Sequence, residues 1–413
     1  MNPLLTSYAD VAGADVVQHL IQLAAPLRGM KIVHVNSTRA GGGVAEILHK
    51  LVPLMDALGI DTRWEVVTGD ESFYRCTKAI HNAMQGHPAP ISDALIKAFE
   101  DTTARNAEML GPALREADVV FVHDPQPVGL LRHVPERRGK WIWRCHIDAS
   151  HPQRAVWRFL RDYVADHDAS VFSLADFAQR LPHPLYLIPP SIDPLSDKNI
   201  DMPADRAAAI CARHGIDPER PLMLQVSRYD RFKDPLGVIA AYRLAKGFMP
   251  HLQLALAGGG ADDDPEGEAV LSEVREAAGG DDDIKILLLP PDAHATINAL
   301  QRTAQFVLQK SLREGFGLTV TEGLWKGKPV IGGNTGGIRL QVVNHHTGFL
   351  VSTPEGAALR VRYLHRHPEL CAQMGHKARE FVRQNFLLTR QLRDYLTLIH
   401  ALMEGQKDRI ELA

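Results

Sequence analysis

Two glutamates flank a glycine turn in "REGFGLTVTEG", residues 313–323: Glu314 stands before the turn, and Glu322 lies about one turn along the helix that follows. Gly315 and Gly317 come after a strand-like segment, so the N–H groups around Phe316, Leu318 and Thr319 would be free at the helix start and form a seat for an anion. The carboxylates themselves do not belong on a phosphate, because like charges repel. They suit pairs of hydroxyls, which sugars and ribose both display. One glutamate per sugar ring, on either side of a diphosphate, describes a sugar nucleotide. The plainer alternative makes Glu314 a helix cap and Glu322 a solvated helix position.

A diphosphate also needs cations that stay charged while a leaving group departs. "QVSRYDRFKD", residues 225–234, supplies Arg228 after a strand and Lys233 on the turn into the next helix. Alone, they read as ordinary surface charges. In the first half, "STRAGGGVAEIL", residues 37–48, puts Gly41, Gly42 and Gly43 ahead of an amphipathic helix, as a tight structural turn or as a ligand contact. A dinucleotide fingerprint would need glycine where Glu46 stands, which argues against an NAD-dependent enzyme. "VHDPQP" (122–127) and "WRCHID" (143–148) each end a strand and carry His123, Asp124, His146 and Asp148. These four could bind a metal, act as acid or base, hydrogen-bond a polyol, or serve the fold alone. "GGNTGGI" (332–338) either offers N–H groups to a ligand or merely turns the chain. The aspartate clusters at 261–268 and 280–284 lack the spacing and glycine of a calcium loop and read as solvated helix caps.

The elements that must position these residues are short apolar runs separated by helical spacing, the pattern of βαβ units and parallel sheets. Strands are expected at 31–36, 63–68, 118–124, 141–145 and 169–174, then at 222–227, 252–258, 284–289, 305–309 and 329–332. Consecutive helices follow from about 354, broken at "HPEL" and "NFLLT". In such sheets ligands bind beyond the carboxyl ends of the strands, where the residues above fall. A proline-rich stretch at 186–203 marks a boundary and a hinge candidate. The expected domains are 1–194 on the acceptor side, 195–385 for the nucleotide sugar, and a helix at 386–413 packing back on the first domain. At 413 residues the chain is long enough for two such cores. A net charge of -3 favours neither nucleic acid nor anionic membrane as a partner, so charged ligands must be met locally. Cys76, Cys145, Cys211 and Cys371 form no CxxC pair, which predicts reduced thiols and, with no long apolar span, a cytoplasmic protein.

Together these stretches resemble the retaining nucleotide-sugar glycosyltransferases of family four. The E-x7-E spacing of Glu314 and Glu322, with Arg228 and Lys233 upstream, matches that family's donor pattern. "VNSTRAGGGVAEIL", "VHDPQP", "WRCHID", "PPSIDPLS", "DDPEG" and "REGFGLTVTEG" are similar, in order, to the trehalose glycosyltransferring synthases, with trehalose phosphorylases as near relatives. The resemblance implies an α/β protein of GT-B fold, two Rossmann-like doubly wound domains facing each other across a cleft, with C-terminal helices. It implies that Glu322 binds the ribose, Glu314 the transferred sugar, Arg228 and Lys233 the diphosphate, and His146 and Asp124 the reacting sugars. Its substrates would be a nucleoside-diphosphate glucose and glucose, with no cofactor and no metal, and with a homodimer as an open alternative to a monomer. Rival readings are a phosphorylase using glucose 1-phosphate, a transferase with another acceptor, a sugar-nucleotide epimerase, and a sensing module without turnover.

Overall fold

Strands that are apolar on both faces build sheets covered on both sides, and this chain makes two of them. The computed structural model describes residues 2–39, 42–259, 265–405 and 410–411. The chain divides into one unit of residues 1–191 with 388–413 and a second of residues 192–387.

In the first unit, β1 (Lys31–Asn36), β2 (Asp61–Val66), β3 (Val119–His123), β4 (Lys140–Arg144), β5 (Ala169–Phe172) and β6 (Leu185–Leu187) lie in one parallel sheet. In the second, β7 (Leu222–Val226), β8 (Gln253–Gly258), β9 (Ile284–Leu288), β10 (Phe306–Gln309), β11 (Val330–Gly333) and β12 (Gly348–Val351) form another. A two-residue strand, β13 (Ile410–Glu411), extends the first sheet, and the orders are β13-β6-β5-β4-β3-β1-β2 and β12-β11-β10-β7-β8-β9. Both are doubly wound α/β sheets, as the sequence implies. The ten expected strands form; β2 starts two residues early, because Asp61 N–H bonds Met30 O at 3.0 Å and fixes the register Lys31↔Asp61. Sequence reading missed β6, β12 and β13, strands of three, four and two residues.

Each sheet has its own core. Trp141, Trp143, Phe73 and Phe99 fill the first, and Tyr242, Phe306 and Leu308 the second, all nearly or fully buried. A large apolar side chain buried in this way contributes about 1.5–3 kcal/mol. The last helix, Leu388–Met403, packs in the first unit: Tyr395 stacks on Phe121 with ring centres 4.8 Å apart, and Arg390 donates to Pro189 O at 2.7 Å. From residue 192 on, the proline-rich stretch belongs to the second unit. Asn298 donates to Asp197 O and Ile200 O at 3.0 and 2.9 Å, and Trp325 Nε1 reaches Asn199 O at 3.2 Å.

Candidate active site

Strand order reverses between β1 and β3 in the first sheet and between β7 and β10 in the second. Crevices open at such switch points, outside the carboxyl ends of the strands. The residues singled out by sequence stand at these two places.

At the switch point of the second unit, β10 runs into Ser311 and Glu314, and β7 into Arg228 and Lys233. Glu314 Oε2 accepts from Lys233 Nζ at 2.7 Å and from Ser311 Oγ at 3.1 Å. Both side chains of the ion pair are largely buried, at 18% and 9% exposure, so the pair is far less screened than a surface bridge. The same hydroxyl accepts from Gln309 Nε2 at 3.1 Å, whose Oε1 accepts from Thr319 Oγ1 at 3.1 Å. Strand end, glycine turn and helix start are thus linked by one chain of hydrogen bonds. Gly317 caps the helix Leu318–Trp325 at φ 85°, a left-handed conformation that glycine adopts without strain, and no side chain caps its N–H groups. Glu314 is therefore not the helix cap of the plainer reading. Phe316 turns its ring inward, 6% exposed and 5.6 Å from Phe386, which leaves its backbone at the turn.

Glu322 is not solvated either. Only 2% exposed, it accepts from Gln301 Nε2 at 3.2 Å and faces Lys198 Nζ at 3.5 Å. Arg228 is more open than this group: its side chain is 67% exposed and meets Asp230 at 3.5 Å. The loop 332–338 braces the turn. A Cβ on Gly336 would clash with Glu314 O, and Gly337 N–H donates to Gly315 O at 3.2 Å. Gln341, fully buried, donates to Phe316 O at 2.7 Å and accepts from Thr321 Oγ1 at 2.5 Å. Sequence reading missed Ser311, Gln309, Lys198 and Gln341. Ser311 and Gln309 sit at a strand end and were findable there, whereas Lys198 comes from the distant proline-rich stretch.

At the switch point of the first unit, Asp124 takes φ 63° directly after β3, and its Oδ1 accepts the His146 N–H at 2.7 Å. Burial pushes its carboxyl up to about 7, against the pull of that N–H and of the Arg144 cation. Three histidines join end to end: His34 Nδ1 lies 3.0 Å from His123 Nε2, and His123 Nδ1 lies 3.0 Å from His146 Nε2. Burial lowers all three; His34 is pushed down to about 3, His123 is lowered further by its neighbours, and His146 also by Arg144. Asp148 accepts from Ser150 N and Oγ at 3.0 and 2.6 Å, a local turn. Gly42 precedes the helix Gly43–Ala57 at φ 81°, and Gly41 lies outside the described residues. Sequence reading missed His34, hidden in an apolar strand, and Arg144, fully buried in β4.

Among the described residues no group of three or more His, Cys, Asp or Glu is arranged to hold a metal ion, and no helix is long and apolar enough to cross a membrane. Asp281 and Asp283, from the second acidic cluster, pair with Lys246 at 3.1 and 3.0 Å, and the first cluster lies partly outside the described residues. The four cysteines are free thiols.

Solved structures share this architecture at low identity. An alpha,alpha-trehalose-phosphate synthase (UDP-forming) from Burkholderia xenovorans, in complex with glucose-6-phosphate, superimposes with a TM-score of 0.71 at 16% identity, covering 90% of this chain and 100% of that one. The fold is therefore that of the GT-B glycosyltransferases. The model for "Trehalose synthase, N-terminal domain" matches residues 34–179, and that for "Glycosyl transferases group 1" matches residues 208–381. Trehalose synthases of Rubrobacter xylanophilus and Pyrococcus horikoshii are 44% and 42% identical, each across 96–97% of both chains. The chain belongs to the trehalose synthase family of glycosyltransferases.

Proposed function

We propose that the chain transfers glucose from a nucleoside-diphosphate glucose to the anomeric hydroxyl of a second glucose, reversibly, giving α,α-trehalose with configuration retained. The observation that carries this reading is the buried Lys233–Glu314 pair beside an uncapped helix start at the switch point. A cation, free N–H groups and a carboxylate within one hydrogen-bonded network suit a pyrophosphate joined to a sugar. The names of the Rubrobacter and Pyrococcus relatives support the product. In this reading Lys233, Arg228 and the N–H groups of Phe316 to Thr319 hold the diphosphate, Glu314 the transferred glucose, and Glu322 the ribose. His146, Asp124, Asp148 and the backbone at Gly42 and Gly43 serve the sugars from the first unit.

The acceptor hydroxyl oxygen bonds to C1 as the bond from C1 to the phosphate oxygen breaks, and the proton passes to the departing diphosphate. In this scheme Glu314 serves as a hydrogen-bond acceptor, its Oε2 held by Lys233 and Ser311, and not as a covalent nucleophile. No metal and no cofactor enters the scheme.

The test offers ADP-, UDP-, GDP- and TDP-glucose with free glucose and reads the product linkage by NMR. An α,α-1,1 linkage from at least one donor is expected, and no transfer from any of them overturns the reading. In the reverse direction, trehalose breakdown stimulated by inorganic phosphate, with no response to nucleoside diphosphate, would identify a phosphorylase instead.

A further inference from the structure

The three histidines of the first unit form a continuous chain that ends at a proposed sugar-contacting residue. His34 and His123 are 0% and 2% exposed, and His146 is partly exposed. Their rings meet end to end: His123 lies 5.3 Å, centre to centre, from both His34 and His146, and His34 is steadied by stacking on Phe121 at 4.8 Å. They are joined in series rather than converging on a point, which is the geometry of a hydrogen-bond relay and not of a metal site.

A neutral imidazole carries one N–H and one bare nitrogen. Burial keeps these three rings neutral at ordinary pH. Two contacts among three neutral rings then admit two proton arrangements only. In the first, His34 Nδ1–H donates to His123 Nε2, and His123 Nδ1–H donates to His146 Nε2, so His146 must carry its own proton on Nδ1. In the second every proton sits on Nε2, and each donation runs the other way. The far end separates them. His34 Nε2 is buried with no hydrogen-bond partner among the described residues, so the second arrangement strands a donor in the core, whereas the first leaves only a bare nitrogen there. Buried orphan donors are the rarer defect in proteins.

We propose that His34 and His123 are positioning residues that fix the proton of His146 on Nδ1, so that this ring presents a hydrogen-bond donor to a ligand hydroxyl. His146 Nε2 is already occupied by His123 at 3.0 Å, which leaves Nδ1 as the nitrogen free to meet a ligand. The inference rests on the proposed function only for the ligand being a sugar; the proton arrangement is a property of the unliganded chain.

Histidine left to itself favours the proton on Nε2, so the opposite form at His146 is diagnostic of the chain. The full-length protein, labelled with 15N-histidine, gives the tautomer from its ring-nitrogen shifts, with the His146 signal identified by its loss in H146Q. The expected result is Nδ1–H at His146 in the wild type. H34D, whose ionised carboxylate can only accept from His123 Nε2–H, should turn both donations round and give Nε2–H at His146, whereas H34L, which leaves His123 Nε2 against carbon, disfavours a buried donor there as at His34 and should keep the wild-type form. In transfer assays H34D should lower kcat/KM about tenfold, with nucleoside diphosphate affinity unchanged. Nε2–H at His146 in the wild type overturns the proposal, as does Nδ1–H that persists in H34D. The wild-type spectrum decides even if H34D does not fold. Absence of transfer in the wild type, with the expected tautomer present, would overturn the functional reading and leave the relay standing.

Discussion

Replacing Asp124 with asparagine isolates the cost of a buried charge. Asn tolerates the left-handed backbone at φ 63° and keeps an oxygen to accept the His146 N–H, so the substitution removes little but the ionisable proton. Burial raises the carboxyl from 3.8 to about 7. Because the folded value lies above the unfolded one, the folded chain retains a proton that the unfolded chain has released between about pH 4 and pH 7. Stability therefore falls as pH rises through that window, and the cost is complete above it. At 1.36 kcal/mol per pKa unit the charge costs about 4 kcal/mol at pH 8 and about 1.7 kcal/mol at pH 5.

D124N should thus gain on the wild type by about 2.5 kcal/mol between pH 5 and pH 8. This double difference cancels any effect of the substitution that does not depend on pH. Urea unfolding followed by tryptophan fluorescence reads it, since Trp64, Trp141, Trp143 and Trp157 lie in the first unit and Trp325 alone in the second. A stability gap that stays flat with pH would refute the reasoning, and would mean that Arg144 and the His146 N–H neutralise the charge fully.

Other substitutions address the second unit. K233A should lower kcat by about 10²–10³, the loss that follows removal of one group stabilising developing charge, whereas E322Q should mainly raise KM for the donor; steady-state kinetics on both substrates checks the split. G336A should lower kcat/KM while circular dichroism stays unchanged, because its Cβ would displace the Glu314 carbonyl and φ is +46° there. Burial pushes Lys326 down to about 7, so below pH 7 the folded chain carries a buried cation at full cost. Above pH 7 the folded chain has released that proton while the unfolded chain keeps it to about 10.5, so wild-type stability rises through that window. K326M should therefore be more stable by about 2–4 kcal/mol below pH 7, an advantage that fades toward pH 10 in denaturation measured across that range. Chelation of divalent cations should leave the transfer rate unchanged.

The fold was legible because parallel sheets buried on both faces write themselves as apolar runs, and ten of these runs are strands. β6 was not, since Leu185–Leu187 lies between Pro184 and the pair Pro189 and Pro190, whose punctuation hides a strand of three residues. The site was legible where residue type and strand end coincide, as at Glu314 and Lys233. It was illegible where a partner arrives from elsewhere in the chain: nothing near Glu322 in sequence announces Lys198, and nothing in "KIVHVN" marks His34 as different from its apolar neighbours. A strand position facing a switch point becomes visible only once the strand order is known.

The Lys233–Glu314 pair bears on how the proposed donor is held. In the unliganded chain each group is the other's counter-ion, and at 18% and 9% exposure neither can turn to water without loss. An arriving diphosphate offers Lys233 a stronger anion, while the sugar it carries offers Glu314 hydroxyl donors in exchange. The two exchanges compensate only if both halves of the donor bind together. Nucleoside diphosphate alone would draw Lys233 away and leave Glu314 with Ser311 as its remaining donor, so the intact sugar nucleotide should bind more tightly than its own leaving group. Removing Glu314 should reverse that preference by releasing Lys233 to phosphate, and competition measurements on E314A with the two ligands would show the reversal or refute this account of the pair.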